Sequence, residues 1–83
     1  MVKDITIYTS NSCAYCGMVK QYLSLKGQNY SEVNIEDDPM RQKEMISMTG
    51  QNRVPVTVVT KTDGTQDVTI GYNVAKLASA LAV

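Results

Sequence analysis

The chain has 83 residues, enough for one small domain over residues 1–83, and a chain of this size buries only a little over ~60% of its unfolded surface. Eight Lys and Arg offset eight Asp and Glu, 43% of residues are apolar, and the longest block of like charge is Glu36-Asp37-Asp38, which gives no electrostatic grip on nucleic acid or anionic lipid. The N-terminus lacks a long apolar region with a small-residue cleavage site, and nowhere do about 18 apolar residues run together, so a soluble cytoplasmic monomer without membrane contact is expected.

Ile5-Thr6-Ile7-Tyr8-Thr9 alternates and is rich in strand formers, which predicts a first strand. From Ala14 to Lys26 the apolar positions Met18, Val19, Tyr22, Leu23 and Leu25 recur at helical spacing, and Gly27 suits a left-handed helix end. Tyr30 to Ile35 reads as a second strand with Ser31, Val33 and Ile35 on one face. Asp37-Asp38-Pro39 then supplies cap candidates and a proline for the first helical position. A second helix is predicted from Pro39 to about Thr49, closed by Gly50, with Met40, Met45, Ile46 and Met48 as its buried face. Val54 to Thr60 and Gln66 to Ile70 read as strands joined by a hairpin at Asp63-Gly64. Asn73 can cap a last helix with Val74, Leu77, Ala78 and Leu81 as its stripe. The predicted order is βαβαββα, an α/β fold.

The chain's two cysteines, Cys13 and Cys16, lie in "SNSCAYCGMVK", between the first strand and the first helix, and histidine is absent. The first βαβ unit requires parallel strands, which sets this loop at the C-terminal edge of the sheet, where ligand sites of open α/β sheets gather. A bridge over so short a loop would stabilise the fold little. A zinc site usually draws four ligands from Cys and His, twice what these thiols supply. No tightly bound cofactor or metal is expected.

Only the thiolate is nucleophilic, and a free thiol with pKa ~8.5 is a few per cent ionised at neutral pH. A helix N-terminus favours the anion through its unpaired N–H groups and its dipole, with Tyr15 and Cys16 as the expected donors to the Cys13 sulfur. Cys13 is thus expected to attack and Cys16, one turn inside, to resolve. A C-x-x-C in this setting points to dithiol–disulfide chemistry.

The run "IYTSNSCAYCGMVKQYL", then "VPV", a DG hairpin and a glycine before the last helix resemble the glutaredoxin-like branch of the thioredoxin superfamily across nearly the whole chain. The resemblance implies a thioredoxin-like fold with a four-stranded mixed sheet flanked by three helices. It also implies a Cys-Ala-Tyr-Cys redox centre acting on protein or mixed disulfides, with a cis Pro55 facing the cysteines. Val54 would then offer main-chain groups to an extended substrate. On residue type alone, Pro55 reads as an ordinary trans proline at the start of an edge strand, and only the resemblance makes it cis. Tyr15 would line the substrate groove or partly cover the core.

The glutathione-contacting pattern of that family is altered. Ser10 stands for its lysine, Ala14 for its proline, and Arg53-Val54-Pro55 for Thr-Val-Pro. Gly71-Tyr72-Asn73-Val74-Ala75 matches only the first glycine of Gly-Gly-x-Asp-Asp, leaving no acid for the ammonium of glutathione. Lys20, Gln51 and Arg53 remain candidates for its carboxylates, with Lys20 and Arg53 reading equally as solvated surface charges. Gly71 followed by the aromatic Tyr72, together with Lys20, also resembles NrdH-type redoxins, which draw electrons from thioredoxin reductase and pass them to ribonucleotide reductase. Their Trp-Ser-Gly-Phe-Arg-Pro segment is replaced by Thr69-Ile70-Gly71-Tyr72-Asn73-Val74. The expected electron donor is therefore glutathione or thioredoxin reductase, and the expected partners are proteins carrying disulfides. A second class of function is an iron–sulfur module bridged between two chains through Cys13 and small thiols.

Overall fold

A computed structural model describes residues 2–81. The elements follow the expected βαβαββα order: β1 (Val2–Thr9), α1 (Ala14–Leu25), β2 (Ser31–Asn34), α2 (Pro39–Thr49), β3 (Val56–Lys61), β4 (Gln66–Ile70) and α3 (Val74–Leu81). The sheet order is β2-β1-β3-β4, with β1 and β2 parallel and the other pairs antiparallel. The first strand begins at Val2, three residues before the predicted start, because Val2 and Asp4 still pair with Lys61 and Thr60 across an irregular register. The third begins two residues late, since Val54 and Pro55 lie outside the ladder.

Local chemistry explains the boundaries. Pro39 opens α2 behind Asp38, whose carboxylate accepts the Arg41 N–H at 3.2 Å. At the end of α1, Gln28 N–H reaches Leu23 O and Gly27 N–H reaches Ser24 O, both at 3.0 Å, a Schellman closure around the left-handed Gly27. In the hairpin, Gly64 N–H donates to Lys61 O at 3.0 Å and Asp63 accepts the Thr65 hydroxyl at 2.6 Å. Asn73 caps α3 by accepting the Lys76 N–H at 3.1 Å.

Two cores lie on opposite faces of the sheet. On one, Val19 and Leu23 of α1 and Leu77 and Ala80 of α3 pack on Ile5, Ile7 and Val59. On the other, Met45 of α2 packs on Tyr8, Ile35, Val56 and Val58. The wide methionine face predicted for α2 is incorrect: only Met45 is buried, whereas Met40 is 72% exposed and Ile46 and Met48 are also exposed. The side toward the sheet is the row Arg41, Met45 and Thr49, spaced four residues apart and too narrow to admit the other apolar residues, and the Arg41 guanidinium lies 5.7 Å from the Tyr8 ring centre. Met18 and Leu25 of α1 and Val74 and Ala78 of α3 likewise fall outside the buried faces, and Ala80 takes an inward position instead.

Gly50 ends α2 at φ 74°, a conformation that side chains resist, whereas Gly17 is an exposed helical residue with open space where a Cβ would stand. Opposite signs are expected in thermal unfolding: Gly50→Ala destabilises by about 1–2 kcal/mol, and Gly17→Ala stabilises by roughly 0.5–1 kcal/mol.

Candidate active site

The end of β1 turns directly into the cysteine loop, and Cys13 is the N-cap of α1 with extended backbone angles of φ −99° and ψ 104°. Its sulfur accepts the Cys16 N–H at 3.2 Å, so of the two amides expected to donate, that of Cys16 does so. Cys13 and Cys16 are joined as a disulfide with their Cα atoms 5.4 Å apart. Their surroundings differ sharply. Cys13 is half-buried at the mouth of the helix, while Cys16, one turn inside, is 3% exposed. An external reactant therefore reaches the first sulfur and not the second.

The loop arm before Cys13 is tied down on its other side. Asn11 N–H donates to the Glu36 carboxylate at 2.5 Å, Asn34 Nδ2 donates to Asn11 Oδ1 at 2.7 Å, and Glu36 N–H donates to Asn34 Oδ1 at 2.9 Å. These bonds close a ring between the cysteine loop and the turn after β2.

The Val54–Pro55 peptide is cis, as the resemblance implied. Pro55 is buried, and its carbonyl accepts the Gly71 N–H at 2.7 Å, which joins the two segments read as substrate contacts. Ladder pairing of β3 with both neighbours begins at Val56, so the Val54 main chain is left outside it. Tyr15 is 60% exposed and is no core cover, and Tyr72 beside Gly71 is 37% exposed. Gln51 is half-buried in a turn in which its carbonyl accepts the Thr49 hydroxyl at 2.8 Å, while Arg53 is exposed.

Lys20 is neither a free cation nor merely solvated. Its Nζ lies 3.2 Å from both oxygens of Glu32, and Glu32 also accepts the Thr9 hydroxyl at 2.9 Å. Glu32 is not among the residues expected at the site, since Val33 and Ile35 mark the other face of β2 as the buried one. In register, however, Glu32 pairs with Ile7, which belongs to the core under α1. A polar residue opposite that apolar position, one strand away from a lysine-bearing helix, was the available signal.

Among the described residues no three His, Cys, Asp or Glu side chains converge as a metal site. No helix of the described residues is long and apolar enough to cross a membrane.

Comparison with known proteins adds four likenesses to this geometry. The family model described as Glutaredoxin matches residues 5–63. A glutaredoxin-like 8.6 kDa protein of the rubredoxin operon of Clostridium pasteurianum is 34% identical over 73 residues, covering 88% of this chain and 91% of that protein. Glutaredoxin 3 of Escherichia coli is 36% identical over 52 residues, and the match spans 63% of either chain. Among solved structures, the glutaredoxin-like NrdH-redoxin of Escherichia coli superposes with a TM-score of 0.76 at 22% identity, covering 98% of this chain and 97% of that one, a likeness of thioredoxin-like fold.

Proposed function

Because this chain belongs to the glutaredoxin family, we propose that it is a small dithiol–disulfide oxidoreductase that reduces protein or mixed disulfides through Cys13 and Cys16. The observation that carries the reading is the unequal placement of the two sulfurs, one capping the helix mouth and the other buried a turn inside.

In the reduced protein the Cys13 thiolate, favoured by the Cys16 N–H and the helix dipole, attacks one sulfur of a substrate disulfide. That S–S bond breaks, a Cys13–substrate bond forms, and the departing thiolate takes a proton from solvent. Cys16, as thiolate, then attacks the Cys13 sulfur and expels the second substrate thiolate, which is protonated in turn. The substrate gains two electrons and the pair loses two, ending as the Cys13–Cys16 disulfide. The unpaired Val54 main chain would hold an extended substrate segment by strand addition, with Tyr15 and Tyr72 flanking it. Two molecules of glutathione, or the dithiol of a thioredoxin reductase, would return the electrons.

The absence of an acid after Gly71 and the engagement of Lys20 by Glu32 favour weak glutathione recognition and, as a second reading, an NrdH-like dependence on thioredoxin reductase. Turnover of one disulfide substrate is to be compared with glutathione plus glutathione reductase and with NADPH plus thioredoxin reductase. The expected result is at least about tenfold higher kcat/KM with the second system, equivalent to about 1.4 kcal/mol. Efficient turnover with glutathione alone would sink the weak-recognition reading while leaving the dithiol chemistry intact.

A further inference from the structure

Glutathione carries two carboxylates, and a site that favours it must present cations able to meet them. Lys20 is well placed for this. It follows Cys16 by four residues on α1, so it lies on the same helical face. Helical side chains also lean toward the N-terminus, which carries its stem back toward the cysteine turn.

That charge is already occupied. Lys20 Nζ sits 3.2 Å from both Glu32 oxygens, and Glu32 also accepts the hydroxyl of Thr9, itself only 2% exposed. The Thr9 hydrogen bond draws the Glu32 carboxyl below its ordinary acidity range, with Lys20 adding to the effect and burial opposing it, so the carboxylate stays charged at neutral pH. An arriving carboxylate meets an ion pair without net charge, and must displace an acid held by two partners.

Resting on the reading that glutathione would dock at this end of α1, we propose that Glu32 is a specificity-determining residue that masks Lys20 and so disfavours glutathione against reductants without carboxylates. The mask lies on the edge strand, not on the cysteine loop, so it acts on which thiol approaches and leaves the dithiol exchange itself to Cys13 and Cys16.

Glu32→Gln tests this, because the amide oxygen still accepts the Thr9 hydroxyl while the charge is gone. For each variant, kcat/KM with glutathione is divided by the rate with dithiothreitol, a neutral dithiol, on the same disulfide substrate. The ratio is expected to rise about threefold to fivefold in Glu32→Gln, through a lower KM for glutathione, the range that an exposed ion pair allows. It should fall back to the parent value in Glu32→Gln/Lys20→Gln. An unchanged ratio in the single variant, or a rise that survives in the double variant, overturns the proposal. High glutathione turnover by the parent would count against weak recognition in general, whereas the change of ratio between variants reports on Glu32 alone.

Discussion

Cys13→Ser is expected to reduce disulfide turnover to background with every reductant, whereas Cys16→Ser is expected to accumulate a stable mixed disulfide with its substrate. The asymmetry follows from placement. Cys13 caps α1, where the residue is half-buried and its sulfur already accepts a main-chain N–H at 3.2 Å, so a thiolate formed there would be both stabilised and reachable. A serine hydroxyl in the same place does not ionise at neutral pH and cannot form the sulfur–sulfur bond on which the exchange depends. Cys16 is 3% exposed, and a protein disulfide cannot approach it from outside. Its contribution comes second, within the molecule, where its nearness to Cys13 replaces a collision with a high effective concentration. Removing it leaves the first step intact and strands the intermediate. Non-reducing electrophoresis and intact mass of both variants after incubation with a disulfide-bonded protein read the outcome, and equal trapping by the two would reverse the assignment of roles.

A second large effect concerns the fold itself. Leu23→Ala is expected to destabilise by about 2–5 kcal/mol, since truncation of a buried leucine loses both transfer energy and packing. Leu23 is fully buried in α1 against Ile5, Ile7, Val59 and Leu77, at the centre of the core that holds the helix to the sheet. A chain of this length has a total stability of order 4–12 kcal/mol, so the loss is a large share of it. The midpoint of thermal unfolding should drop by roughly 8–40 °C, taking about 4–8 °C per kcal/mol. Leu25→Ala, on the same helix but 77% exposed, should stay within about 0.5 kcal/mol of the parent. Similar shifts for the two variants would contradict the assignment of α1's inner face.

These effects bear on what could be read from the chain alone. The order of elements and the helix ends were legible because they are written in local chemistry: Asp38-Pro39 at one start, Gly27 and Gly50 at two ends, Asp63-Gly64 in the hairpin. The position of the cysteine pair at a helix mouth was legible for the same reason. Burial was harder. Met40, Ile46 and Met48 are as apolar as Met45, and which of them meets the sheet depends on how α2 is rotated over Tyr8, a tertiary fact that residue type does not carry. The polar contacts of the site were hidden for a related reason. The partners of Lys20 and Asn11 are twelve and twenty-five residues away, and only the pairing of β2 with β1 brings Glu32 and Glu36 to them.

On the proposed mechanism, the ring of Asn11, Asn34 and Glu36 constrains how a partner protein would meet Cys13. Thiol–disulfide exchange requires the attacking sulfur and the two sulfurs of the target to line up. With the loop arm fastened to the turn after β2 and the helix fastened by its core, the attacking sulfur has little freedom to swing toward a badly presented target. Alignment then falls to the partner: a disulfide on a flexible segment can be turned into line at small cost, and one locked within a rigid fold cannot.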